Sequence, residues 1–133
     1  MYGLVDLASS GDLAEVKSAI REGADTEEKD ATGQTALHAA SINGHVDIIK
    51  FLISVGADVH SRTNQLGRTP LMFAAQCTKS GEPVEVLLKA GAKANDVDER
   101  DGTTALDMAC QHGTLEAVKS LIAAEADLSK VNR

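Results

Sequence analysis

The sequence predicts an all-α solenoid: four helix-turn-helix repeats stacked side by side, with turn-built fingers projecting between them. Three observations carry this. First, the stretch GQTALHAASINGHVDIIKFLISVGA, Gly33 to Ala57, returns from Thr69 as TPLMFAAQCTKSGEPVEVLLKAGA and from Thr104 as TALDMACQHGTLEAVKSLIAAEA. The threonines Thr35, Thr69 and Thr104 that open the copies lie 34 and 35 residues apart. Second, apolar residues within each copy fall at helical spacing, as Val46, Ile49, Leu52 and Ile53 do. Third, Leu4 to Ala24 forms an earlier copy without the opening Gly-x-Thr. Across the copies Gly11, Gly44 and Gly113 share one position, and Val16, Ile49, Val84 and Val118 share another.

In chain order, the first copy begins at its own first helix. Tyr2 stands where later copies have Thr, and Asp6, Ser9 and Ser10 supply the polar outer face that the end of a stack needs. Its second helix, expected from Asp12 to Glu22, turns Leu13, Val16, Ala19 and Ile20 inward and Glu15, Lys17 and Arg21 outward. Asp12 suits the positive end of that helix. In the second copy Thr35 is placed to cap a helix with Leu37 and Ala40 on one side, and Gly44 is placed to end it in a left-handed conformation. A second helix is expected from His45 to Ser54, closed by Gly56.

The third copy opens on Thr69-Pro70, where proline loses only an N–H that no helix would have used. Its one extra residue falls in the turn Thr78 to Glu82, so Pro83 enters the first turn of a shortened second helix. The fourth copy has Glu125 where Gly23, Gly56 and Gly91 stand in the others. Either Glu125 is left-handed, at a cost of about 1 kcal/mol, or the helix continues or frays there. The expected core is Leu37, Ile49, Leu52, Leu71, Leu87, Leu106 and Leu121, with Cys110 as a small packed residue at an alanine position.

A turn and two helices repeating at about 33 residues resembles the ankyrin-repeat family. The likeness covers nearly the whole chain as one domain, 1–133, with repeats at approximately 1–29, 30–63, 64–98 and 99–133. In size the chain is similar to small stand-alone members of that family. The resemblance implies short first helices lining a concave groove and longer second helices forming the convex back. It puts His38 where the family has a His that hydrogen-bonds turn backbone of a neighbouring repeat, a structural role, and leaves His45 to tie the loop. It also implies function: non-enzymatic protein–protein recognition through the finger tips and the first-helix face, as an adaptor or inhibitor. The alternative is a scaffold fragment of a larger multidomain protein whose activity lies elsewhere. Fold alone does not decide between them.

Composition narrows the classes further. The formal net charge is −7, from 20 acidic and 13 basic residues, the wrong sign for phosphate. No Lys/Arg cluster or aromatic platform offsets it, so no nucleic-acid partner is expected. No apolar run approaches the ~18 residues of a membrane span, and no membrane partner is expected. Met1 is followed almost directly by repeat-like sequence without a signal-peptide pattern. Two cysteines and no Asn-x-Ser/Thr sequon add nothing in favour of secretion. The expectation is an intracellular, cytoplasmic monomer, with the nucleus as the alternative compartment.

Catalytic chemistry finds little material. Cys77 and His112 lie on or just after first helices of adjacent copies and could approach, but neither an orienting partner nor an oxyanion device accompanies them. Both read as semi-exposed groove residues, and no enzyme activity is expected. Neither His38 nor His45 has a second ligand at i+4, which leaves zinc unsupported. Asp96 to Gly102 looks faintly like a calcium loop but places Arg100, Asp101 and Asp107 at positions 5, 6 and 12, so it reads as an acidic finger in solvent. No cofactor is expected.

In family register the recognition positions flank each turn glycine and lie near the end of each first helix. They fall on Ala31, Thr32, Gln34, Ile42 and Asn43; on Gln65, Leu66, Arg68, Gln76 and Cys77; and on Arg100, Asp101, Thr103, Gln111 and His112. Ser9 and Ser10 extend the set. Finger charge alternates: acidic in the first (Asp25, Glu27, Glu28, Asp30), basic in the second (Arg62, Arg68), acidic in the third (Asp96, Asp98, Glu99, Asp101). Layers about 10 Å apart would let a partner feel the three patches separately. That suggests a protein partner with a carboxylate aimed at Arg62 and Arg68, basic groups on either side, and an apolar side chain over Leu66.

Overall fold

The computed structural model describes residues 3–64, 66–77 and 79–131, and of 125–131 the backbone alone. Tyr2, Gln65 and Thr78, each singled out in the sequence, lie outside the described residues. The helices in order are α1 (Leu4–Ser10), α2 (Leu13–Arg21), α3 (Ala36–Asn43), α4 (Val46–Ser54), α5 (Pro70–Ala75), α6 (Glu82–Lys89), α7 (Ala105–His112) and α8 (Leu115–Val131). The first helices α1, α3, α5 and α7 pack in series, and α2, α4, α6 and α8 pack in series behind them. The result is the all-α ankyrin-type solenoid that the repeats predict. No helix among the described residues is long and apolar enough to cross a membrane.

Local chemistry sets the helix ends. Asp12 accepts the N–H of Glu15 at 3.1 Å to start α2. Thr69 Oγ1 accepts from Met72 at the start of α5. At α7 the cap is reciprocal: Asp107 N–H donates to Thr104 Oγ1 at 3.2 Å, and Thr104 N–H donates to Asp107 Oδ2 at 3.1 Å. Gly44 closes α3 at φ 73°, the left-handed conformation that only glycine adopts freely. The extra residue of the third pair leaves α6 at 8 residues against 9 in α2 and α4, with Pro83 in its first turn.

The core runs the length of the stack and is built mainly from Leu, Ile, Val and Ala, with Met72 and Met108 also buried in it. Leu37, Ile49, Leu52, Leu71, Leu87 and Leu121 are all buried, as expected. Leu106 and Cys110 are not: Leu106 is half-buried and Cys110 exposed. Their equivalents Leu37 and Ser41 are covered by the next layer, and none of the described residues forms such a layer beyond α7 and α8. For the same reason α8 leaves Leu115 and Ile122 exposed.

One register expectation changes and one open alternative is decided. Gly113 shares a sequence position with Gly11 and Gly44 but is extended (φ −93°), not left-handed. Its glycine serves close approach instead, since a Cβ there would run into the Ala75 carbonyl oxygen. Glu125 is not a left-handed cap either: among the described residues every positive φ belongs to glycine, and α8 runs through to Val131. Glu125→Gly is therefore expected to lower stability by about 0.5–1 kcal/mol, the usual cost of glycine inside a helix. A raised melting temperature in that variant would place the helix end before residue 125.

Each finger is a tight hairpin closed by a backbone pair: Asp30 N–H to Gln34 C=O, Thr63 to Arg68, and Asp98 to Thr103. Neighbouring fingers are stitched edge to edge. Asn64 N–H donates to Thr32 C=O at 3.1 Å, and Glu99 N–H to Leu66 C=O at 2.8 Å. The fingers therefore form one continuous projecting rim rather than independent loops.

Candidate functional site

The first finger is shaped by one carboxylate. Asp30 Oδ1 accepts from Thr32 N–H (2.9 Å), the Thr32 hydroxyl (2.7 Å) and Gln34 N–H (3.0 Å). Burial pushes the Asp30 carboxyl up, but these donors outweigh it and hold it below its ordinary value. The second finger is held by its own hydroxyl, with Arg68 N–H donating to Thr63 Oγ1 at 3.1 Å.

His38 ties that finger to the helices. The N–H of Thr35 donates to its Nδ1 at 3.1 Å, so Nδ1 is an acceptor and the proton sits on Nε2. Nε2 then donates to the Arg68 carbonyl at 2.9 Å, the turn-backbone contact that the resemblance implies. The ring also meets the Phe73 ring edge-on, centroids 5.1 Å apart. Burial lowers the pKa of His38, because the interior disfavours the imidazolium. Its folded pKa lies below its unfolded one, so the unfolded chain binds the proton first. The stability held by neutral His38 is expected in full above about pH 6.5 and is expected to fall as pH drops through the window below it. Urea midpoints measured from pH 8 to pH 5, with the His38 ring proton followed by NMR, check this. A rise in midpoint on acidification through that window would reverse the sign.

With those elements fixed, α3, α5 and the first two fingers enclose an open cleft of about 450 Å³. Ala31, Thr32, Gln34, Ile42, Leu66, Arg68 and Gln76, all expected from family register, line it together. Thr63, Asn64 and Phe73 complete the lining and were not expected. Phe73 had a signal in the sequence, since it replaces the smaller Ala39 of the second copy in a chain with few aromatics. The half-buried side chains of Ile42, Leu66 and Phe73 give the cleft an apolar floor.

Other expected residues are elsewhere. Cys77, read as semi-exposed, is buried at 1% beneath Gly44, with Sγ 3.1 Å from where a Gly44 Cβ would stand. It cannot contact a partner or act as a nucleophile in that position, and the Cys77–His112 pairing falls away because His112 is exposed on α7. Asn43 does not line the cleft; its amide donates to Ser9 Oγ (3.1 Å) and to the Ala39 carbonyl (2.9 Å). His45 also reaches across, its Nε2 3.0 Å from the Ser9 carbonyl. Arg100, Asp101, Thr103, Gln111 and His112 belong to the third finger and α7 and do not line the cleft. Gln65 lies outside the described residues.

The charge pattern is the largest correction. Arg62 donates to the Gly67 and Val97 carbonyls and lies 3.8 Å from Asp96. Arg68 Nε lies 3.5 Å from Asp98 Oδ2. The second finger therefore spends its cations on the third, and the patches are joined rather than separate. Asp98 is not in solvent: it is 2% exposed, and its Oδ1 accepts from Asp101 and Thr103 N–H. Burial pushes its carboxyl up, but those N–H groups and the Arg68 guanidinium hold it below the usual carboxylate range.

Among the described residues no three His, Cys, Asp or Glu side chains converge as a metal-binding group. Comparison with known proteins decides the family. A family model described as ankyrin repeats in three copies matches residues 4–98 and again 63–132. The chain belongs to the ankyrin-repeat family. Ankyrin-repeat relatives include the tyrosine-protein kinase Shark of Drosophila melanogaster, 37% identical over 98 residues that cover 74% of this chain and 10% of the kinase. Inversin of Gallus gallus is 38% identical over 87 residues, 65% of this chain and 8% of inversin. The RelA-associated inhibitor of Mus musculus is 36% identical over 104 residues, 78% of this chain and 12% of the inhibitor. The chain thus spans only about a tenth of the length of these relatives. Ankyrin repeats are a generic protein-interaction module, and in the kinase they accompany a separate activity.

Proposed function

We propose that this ankyrin-repeat chain is a non-enzymatic adaptor or inhibitor that binds a protein partner in the cleft between its first two fingers and helices α3 and α5. One observation supports this above the others. The half-buried apolar side chains of Ile42, Leu66 and Phe73 share the cleft with the neutral polar side chains of Thr32, Gln34, Asn64 and Gln76 and with Arg68. An apolar centre inside a polar rim is the anatomy of a binding hot spot. Arg100, Asp101, Thr103, Gln111 and His112 would extend the contact along the third finger. The low coverage of the relatives favours a second reading, in which the same cleft serves as a scaffold segment of a longer protein. A photo-crosslinking residue at Gln76, compared with one at Lys50 on exposed α4 surface, tests the site in extracts of the native cell. Captured protein at Gln76 and not at Lys50 is the expected result; capture at Lys50 alone would move the site to the second helices.

A further inference from the structure

We infer that the cleft accepts one large uncharged apolar side chain from an extended segment of the partner protein, and that lysine or arginine residues flank that side chain. The inference rests on the cleft being the binding site. The reason is electrostatic. Among the described residues Arg68 is the one charged residue in the lining, and its Nε already faces the buried Asp98 carboxylate, 3.5 Å from Oδ2. Arg62 is held by Asp96 and two carbonyls, and Lys29 Nζ donates to the Arg62 carbonyl at 3.2 Å. The cations bordering the cleft are thus turned onto acceptors of the same chain.

Among the described residues neither carboxylate at its edges lies within 4 Å of a cation, although Asp30 Oδ1 accepts three hydrogen bonds from its own turn. Asp30 is exposed at the first finger, directly behind the lining residues Thr32 and Gln34, and its backbone donors favour the ionised form. Glu99 is exposed beside Leu66, to which its backbone is bonded. An acidic side chain entering the cleft would lose hydration without gaining an uncommitted cation, and both edges would repel it. A basic side chain inside would face no acid among the described lining residues. An uncharged apolar group covers Ile42, Leu66 and Phe73 at no such cost, and Gln34 and Gln76 each offer a donor and an acceptor to the backbone that carries it. Basic neighbours of that group then meet Asp30 on one side and Glu99 on the other, on a chain whose net charge is −7. The carboxylate suggested by Arg62 and Arg68 in the sequence drops out, and the basic flanks and apolar anchor remain.

The test is a random-peptide phage library panned on the full chain, with selected peptides resynthesised and titrated by fluorescence anisotropy. Selected peptides are expected to share one Leu, Met or Phe with Lys or Arg within a few residues on both sides. Replacing that anchor by Asn, or placing the peptide on a Leu66→Lys variant, should weaken binding about tenfold or more. Glu99→Gln should leave the anchor preference intact and reduce the loss of affinity that salt produces. Should Leu66→Lys not fold by circular dichroism, Asn64→Lys, on an exposed lining residue, takes its place. Peptides that depend on Leu66 but carry an acidic anchor, or no basic flank, would overturn the inference and leave the cleft as the site. Peptides indifferent to both lining variants would overturn the site itself. No enrichment over the Leu66→Lys control would overturn the inference as well.

Discussion

Leu71→Ala is expected to lower stability by about 2–5 kcal/mol and to split unfolding of the stack into two steps. Leu71 is 1% exposed on α5, which packs against α3 on one side, α7 on the other and α6 behind. Truncation leaves a cavity at the centre of the third helix pair, and a stack has no distant contacts to close it. Each layer is coupled only to its neighbours, so a weakened third layer separates the ends energetically. Amide exchange at intermediate urea should then find α3 and α4 still protected while α5 to α8 exchange. One sharp transition reported equally from α2 and α8 would show instead that the array unfolds as a single unit.

Asp98→Ala is expected to cost about 3 kcal/mol, although it removes a surface-looking acid from an acidic finger. The carboxylate is buried, bonded to two backbone N–H groups and paired with Arg68, so its loss strands the guanidinium and two donors together. Arg68 Nε and Asp98 Oδ2 have no hydrogen-bond partner among the described residues, so Coulomb attraction alone links them and Arg68→Met should be the milder change. The double variant is expected to be more stable than the sum of the two singles by about 0.5–3 kcal/mol, which a denaturant double-mutant cycle measures. Additive effects would mean that Asp98 acts only through its own turn. Arg68→Glu would set a second carboxylate against Asp98, so it is expected to destabilise the fold rather than only weaken binding. Because the Asp98 pKa is lowered on folding, its contribution is present above about pH 3.8 and lost as pH falls through the lower folded value.

The repeat itself was legible in the sequence because it is local. Helix starts at Asp12, Thr35, Thr69 and Thr104, the left-handed stop at Gly44 and the shortened α6 each follow from a few consecutive residues and their own backbone hydrogen bonds. Residue spacing gave the buried faces, and register brought Ile42, Leu66, Gln34, Gln76 and their neighbours to one cleft. What failed was whatever depends on the adjacent layer. Leu106 and Cys110 look like Leu37 and Ser41 in sequence, but a side chain at the end of a stack has nothing above it to displace water. Cys77 looks like a surface position until Gly44 of the preceding pair covers it. Arg62 and Arg68 look like a free basic patch until the third finger brings Asp96 and Asp98 within 4 Å, from residues some thirty positions away in the chain. A sequence fixes which charges exist, but their partners are set by Coulomb forces acting over a few ångströms in space. Stacking therefore decided that the cations of the second finger face carboxylates of the third, while Ile42, Leu66 and Phe73 meet in one cleft.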